Sequence, residues 1–148
     1  MIEHIWSILC QNCVVDRATN TISLIEAVED IGIALPPPVA GEVGIIPIHC
    51  ALVSNWERRP TDQPTRGVAK FRSVRPTGDF EKEQEYAIDL SSTPRARTVA
   101  RISGISFREL GRHVFEIYMK EDGVSDWTKV AAIPFNISQL PSPDSNQS

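Results

Sequence analysis

The sequence predicts an all-β fold, a two-sheet antiparallel β-sandwich of about eight strands, with a small β-barrel as the alternative. Runs rich in Ile, Val, Phe, Tyr and Thr alternate between apolar and polar residues, which is typical of strands with one buried face. Turn-forming Gly, Pro, Asn and Asp residues separate these runs. No window of a dozen residues carries the apolar stripe of an amphipathic helix.

The first half of the chain predicts three strands, at residues 3–15, 21–29 and 45–56. A polar segment at 16–20 separates the first two, and its Asp and Asn residues favour a tight turn. Three successive prolines at 36–38 cannot donate ladder hydrogen bonds, so they predict a loop before the third strand.

The second half predicts the remaining strands from the same alternation of apolar and polar residues. They are residues 67–74, 83–90, 98–107, 113–120 and 127–137. Pro76 and Gly78 favour a turn between the first pair, and Gly104 predicts a bulge where the apolar row changes phase. Residues 139–148 have nothing to bury. We therefore expect one sandwich domain over 1–138, followed by a flexible C-terminal tail.

Length and charge fit a single domain in the cytoplasm. The chain has 148 residues, 41% of them hydrophobic, and a net charge of −4, which argues against a protein that coats nucleic acid. The N-terminus lacks the basic region and cleavage site of a signal peptide. No apolar run approaches the roughly 18 residues of a membrane helix. An odd number of cysteines, three, favours reduced thiols.

Cys10 and Cys13 form a Cys-x-x-Cys pair, which is compatible with redox chemistry, half a zinc site, or packing. On an extended strand the two side chains point to opposite faces, and no helix follows Cys13 to lower a thiol pKa. A zinc site would need further ligands, for which Cys50 and His49 are the candidates, and a bulge at residues 11–12 to make the sulfurs converge. We interpret the thiols as packing residues, with no cofactor.

Basic and aromatic residues suggest two other kinds of binding site. Residues 57–112 hold 12 basic and 8 acidic residues, and Arg58, Arg59, Arg72 and Arg75 are the candidates for a face that binds phosphate or carboxylate. The interleaved acidic residues favour solvated strand faces with cross-strand ion pairs instead. Trp127 follows a turn and is the candidate platform for a sugar or small ligand.

Several short motifs resemble a bacterial family of uncharacterised small β-sandwich domains. The matching residues are Cys10, Asp16, Ser23, Leu24, the prolines at 36–38, the stretch 102–107, Gly111, and the stretch 115–117. The resemblance covers most of residues 3–137 and implies the sandwich fold, without an activity or site residues. Cys13 and a longer, proline-interrupted loop at 57–67 depart from the family pattern.

The function predicted from these observations is a non-enzymatic protein-binding or assembly module, with a protein partner or further copies of itself. No catalytic triad, nucleophile elbow or phosphate-binding loop is present in the sequence. Two alternatives stay open. One is a zinc protein or enzyme that uses Cys10, Cys13 and Cys50, and the other is a module that binds a small ligand or carbohydrate.

Overall fold

The computed structural model describes residues 1–34, 36–60 and 63–141, and within them the chain forms strands and no helix. The all-β prediction is confirmed. The strands are β1 (Ile2–Val15), β2 (Ile22–Ala27), β3 (Asp30–Ile33), β4 (Gly44–Arg58), β5 (Thr65–Val74), β6 (Phe80–Leu90), β7 (Arg95–Phe107), β8 (Gly111–Glu121) and β9 (Thr128–Gln139).

Two sheets pack face to face. The four-stranded sheet has the order β2-β1-β4-β7, and the five-stranded sheet has the order β3-β9-β8-β5-β6. Every neighbouring pair is antiparallel except β3 and β9, which run parallel. The five-stranded sheet includes the hairpin β5–β6 that Pro76 and Gly78 predict. In β8 the buried residues of the inner face alternate with half-buried or exposed residues of the outer face, as is usual in a sandwich.

The predicted second strand at 21–29 is shorter in the structure, and the chain then crosses to the other sheet. β2 ends at Ala27, and Val28 and Glu29 carry the chain across before β3 begins. The Val28 amide donates to the Leu9 carbonyl at 2.8 Å, and the Glu29 carbonyl accepts from the Asn136 amide at 2.8 Å. These two bonds satisfy backbone groups that leave one sheet and join the other. With only four residues, β3 has too short an alternation of apolar and polar side chains for the sequence to show it as a strand separate from β2.

The main core lies between the sheets. Trp56 is completely buried, and its indole Nε1 donates to the Thr98 hydroxyl at 2.9 Å, so its polar atom is satisfied. Phe115 stacks on Phe135 with ring centroids 5.0 Å apart and meets Phe71 edge to face at 5.6 Å. Burying each such side chain contributes about 1.5–3 kcal/mol.

A second, smaller core lies on the other face of the four-stranded sheet. Leu9 and Leu52 belong to the main core, whereas their neighbours Cys10 and Val53 form a separate buried cluster with Ala51. Two residues of β2, Ile22 and Leu24, and the half-buried Cys13 of β1 pack against that cluster. The sheet therefore curls until the β1–β2 hairpin covers its own outer surface, which gives it the form of a half-barrel.

The last strand continues beyond its predicted end. β9 extends to Gln139, which pairs with Ile33, and the Leu140 amide donates to the Ile33 carbonyl at 2.8 Å. Residues 142–148 of the predicted tail lie outside the described residues. Within the described part of the chain, no helix has the length and apolarity that a membrane crossing requires.

Candidate functional site

An open seam separates the edges of the two sheets. From Ile2 to Ile8, β1 pairs with β4 on one side only, because Leu9 already accepts from the Val28 amide and β2 joins from Cys10 onwards. The first half of β9, residues 128–135, likewise pairs only with β8, because β3 joins at Asn136. We call the space between these two half-strands the β1–β9 seam. It holds cavities of about 630 and 460 Å³, a size typical of binding clefts.

One end of the seam is closed by backbone hydrogen bonds, and the other by an ion pair of the Met1 ammonium group. At one end the chain crosses between the sheets at Val28 and Glu29. At the other, the ammonium group of Met1 donates to the Arg59 carbonyl at 2.8 Å and lies 3.4 Å from a Glu121 carboxylate oxygen. The exposed edge of β1 between these ends spans about seven residues, or roughly 23 Å of extended chain.

A hydrogen-bonded chain of side chains starts in the seam. His4 Nε2 lies 2.6 Å from the Ser7 hydroxyl, which lies 2.6 Å from the Ser54 hydroxyl. Burial lowers the pKa of His4 below its usual value, so the neutral imidazole is favoured. A His and Ser in contact resemble a base and a nucleophile. Among the described residues no carboxylate contacts His4, so the pair lacks the orienting third group of a catalytic triad.

The Cys-x-x-Cys pair converges, contrary to the prediction that its side chains point to opposite faces. Cys10 is completely buried in the second core, and Cys13 packs against the same cluster. The ladder between β1 and β2 omits the position where Gln11 faces Glu26, and Glu26 has a left-handed backbone with φ 56°. The register is the same before and after this position, so both strands are distorted together and neither gains the extra residue of the bulge considered at residues 11–12.

Cys50 and His49 do not complete a metal site around this pair. Cys50 faces the main core, and its pKa is raised to about 11, first by burial and then by the neighbouring Cys10. His49 is exposed, with Nδ1 3.1 Å from the Ser103 hydroxyl. Within residues 1–34, 36–60 and 63–141, no three His, Cys, Asp or Glu side chains are grouped so that they could hold a metal ion.

The four candidate arginines are dispersed over the molecule. Arg58 is buried, and its guanidinium donates to the Leu90 carbonyl. Arg59 pairs with Glu3 at the same end of the sandwich, whereas Arg72 lies on the outer face of the five-stranded sheet. Arg75 lies at the opposite end from Arg58 and Arg59. These positions do not form one anion-binding face.

Each of the other two arginines has a carboxylate partner. Arg72 pairs with Glu83 at 3.0 Å. Arg75 forms a two-pronged contact with Glu109, at 3.0 and 2.6 Å. Bidentate pairing of this kind holds the guanidinium in one orientation, so a further anion would have to displace Glu109 to bind Arg75.

Trp127 is half-buried beneath two lysines. The ammonium groups of Lys70 and Lys120 lie 4.3 and 4.6 Å from its ring centroid, within the range of cation–π attraction. Arg72 extends the same arrangement by lying over Tyr118 at 4.7 Å. This ladder of cations and aromatic rings crosses the outer face of the five-stranded sheet and occupies the Trp127 surface that a sugar would stack on.

The seam was missed by the sequence analysis, and so was the cation–aromatic ladder. Alternation along β5 and β8 carries a signal for the ladder, because Lys70 is directly opposite Tyr118 in the register. The seam has no such local signal, since it depends on where β2 and β3 join their neighbours.

The chain matches no protein-family model and none of the curated proteins. The resemblance to a bacterial sandwich family stays a prediction.

Proposed function

We propose that the protein is a binding module that accepts an extended segment of a partner protein along the β1–β9 seam. The observation that carries the proposal is the pair of facing half-strands, each hydrogen-bonded on one side only. A segment added at such an edge pairs its backbone with unpaired N–H and C=O groups. The three cysteines are free, and free thiols support a reducing compartment such as the cytoplasm.

Side chains in the seam favour a segment with alternating apolar residues. Ile8, Ile133 and Phe135 line the larger cavity, and Met119 and Val130 line the smaller one. Because side chains of an added strand alternate between its two faces, every second residue of the partner would enter these cavities. Pro134 gives β9 a position without an N–H, so β1 is expected to provide the main hydrogen-bonding edge.

The direct test is selection of a random peptide library on the full chain, followed by backbone N-methylation of a selected peptide. In one methylated peptide every second N–H, the set that bonds to β1, is blocked, and this peptide should not bind. In the other peptide the remaining alternate N–H groups are blocked, and this change should have little effect on binding. Amide chemical-shift changes should centre on residues 3–9. Equal binding by both methylated peptides, or shift changes centred on β6, would contradict the proposal.

A pair of variants ties the binding to the seam. Ile133→Lys introduces a charge into the larger cavity and should weaken the selected peptide at least about tenfold, or 1.4 kcal/mol. Val99→Lys is the matched control, because Val99 is an exposed residue of β7, away from the seam. If the seam instead pairs with a second copy of the chain, the molecular mass of the wild type in solution would rise with protein concentration. The Ile133→Lys variant would then keep the mass of the monomer at every concentration. That result would make the assembly of copies the function.

A further inference from the structure

The strands β1 and β4 separate to form a fork with a polar cavity between them. Their pairing ends at Cys10 and Ala51. Beyond that point β1 continues with β2, and β4 continues with β7. Gln11 and Asn12 on one branch and His49 and Cys50 on the other border a cavity of about 650 Å³, within the range of pockets for small molecules.

Backbone irregularities occur on both branches of the fork. On the β1–β2 branch, Glu26 has φ 56°, a left-handed conformation that is uncommon and costly for a residue other than Gly, Asn or Asp. On the β4–β7 branch, the register shifts between Ile46 and His49, next to Gly104 with φ 82°. Bulges redirect side chains and are frequent beside functional sites. The distorted backbone at Glu26 and the register shift at His49 border the same cavity.

The cavity contains one positive and one negative side chain whose charges are not neutralised by neighbours. Among the described residues, Arg101 forms no hydrogen bond or ion pair, and the same is true of Glu26. His49 uses Nδ1 for its contact with Ser103 at 3.1 Å, and its Nε2 has no partner in the described part of the chain. The cavity therefore offers a guanidinium, a carboxylate and uncharged donors and acceptors, including the Gln11 amide.

We infer that the fork is a binding site for a small zwitterion, a free α-amino acid being the simplest example. Arg101 would bind its carboxylate, since a guanidinium forms two parallel bonds to that group. Glu26 would accept from its ammonium. A simple anion would meet the negative charge of Glu26 and a simple cation the positive charge of Arg101, so a ligand with both charges is favoured. This site is separate from the β1–β9 seam and does not depend on the proposed function.

The test is calorimetric titration of the full chain with each of the twenty amino acids, at up to about 10 mM. At least one should bind. Its N-acetyl derivative, which lacks the ammonium, and its amide, which lacks the carboxylate, should each bind about tenfold or more weakly, because each loses a charge-assisted contact. Failure of all twenty to bind at that concentration would overturn the inference.

Variants assign each charge to its residue. Arg101→Gln should bind the amino acid and its amide about equally, and Glu26→Gln should bind the amino acid and its N-acetyl derivative about equally. Arg17→Gln is the control, since Arg17 is another exposed arginine without a partner among the described residues, and it borders neither the fork nor the seam. Circular dichroism checks that each variant is folded. Binding that is unchanged in Arg101→Gln and Glu26→Gln would also overturn the inference.

Discussion

Arg97 and Asn20 lie 77 positions apart, yet the Arg97 guanidinium donates to the Asn20 carbonyl at 3.1 Å. Arg97 belongs to β7, one edge of the four-stranded sheet, and Asn20 belongs to the turn that joins β1 to β2 at the other edge. The contact therefore reaches across the outer surface of the sheet and fixes the hairpin over the second core.

Replacing Arg97 should loosen this hairpin. We expect Arg97→Gln to lower the free energy of unfolding by about 1 kcal/mol, as is typical of one lost hydrogen bond, and to speed hydrogen exchange of amides in residues 13–24. Arg95→Gln is the control, because Arg95 is 72% exposed and lies 3.7 Å from Glu57, an arrangement that contributes little. Identical exchange in both variants would show that the contact does not hold the hairpin.

The three thiols should react in two stages. Cys13 is half-buried, whereas Cys10 and Cys50 are 0% and 4% exposed. Burial also raises the pKa of Cys10 and that of Cys50, which lowers the fraction of reactive thiolate at pH 8. With an aromatic disulfide reagent we expect one fast equivalent, located at Cys13 by peptide mass, and two more after denaturation. Cys13→Ser should abolish the fast stage, and its persistence would contradict this assignment.

The two tryptophans Trp56 and Trp127 should differ strongly in their effect on stability. Trp56→Ala leaves a cavity in the main core and removes the partner of the Thr98 hydroxyl, so unfolding should become easier by about 3–5 kcal/mol. Trp127→Ala removes mainly its contacts with Lys70 and Lys120, for which we expect about 1 kcal/mol. Urea denaturation measures both changes. A loss for Trp127→Ala as large as that for Trp56→Ala would contradict the half-buried environment of its ring.

Acid should weaken the contact between Glu109 and Arg75. The hydrogen bond from Arg75 is the largest cause of the lowered Glu109 pKa. A lowered pKa in the folded state stabilises the protein above the ordinary glutamate pKa, about 4.3, and this contribution is lost as the pH falls through the folded value. In Glu109→Gln, stability should therefore fall less between pH 6 and pH 3 than in the wild type.

A matched variant distinguishes this contact from general acid denaturation. Glu85→Gln also removes one carboxylate, but Glu85 is exposed and has no ion pair among the described residues. It should retain the wild-type slope of stability against pH. Equal slopes in Glu109→Gln and Glu85→Gln would mean that the Arg75 contact contributes nothing to the acid response.

Local patterns identified most of the strands, because their information lies within a few residues. Alternation locates strands such as β8, where Phe115, Ile117 and Met119 are buried, since the side chains of a strand alternate between its faces. Pro76 and Gly78 located the β5–β6 turn for an equally local reason. For the same reason the prediction overlooked β3, whose four residues depend on a parallel partner about a hundred positions away.

The candidate sites required information that no local pattern contains. The seam exists because β2 joins β1 only from Cys10, and the fork exists because β4 leaves β1 at the same residue. Likewise, the convergence of Cys10 and Cys13 depends on the left-handed backbone of Glu26 in the neighbouring strand.

By itself the sequence determined the all-β class, the positions of most strands, and the packing role of Cys10 and Cys50, because apolar periodicity indicates which side chains are buried. Only the tertiary structure decided which strands pair, where each pairing ends, and how far the four-stranded sheet curls over itself. Those features follow from hydrogen bonds between backbone groups that are distant in sequence. Because backbone groups are nearly the same in every residue, the amino-acid sequence contains little information about which of them pair.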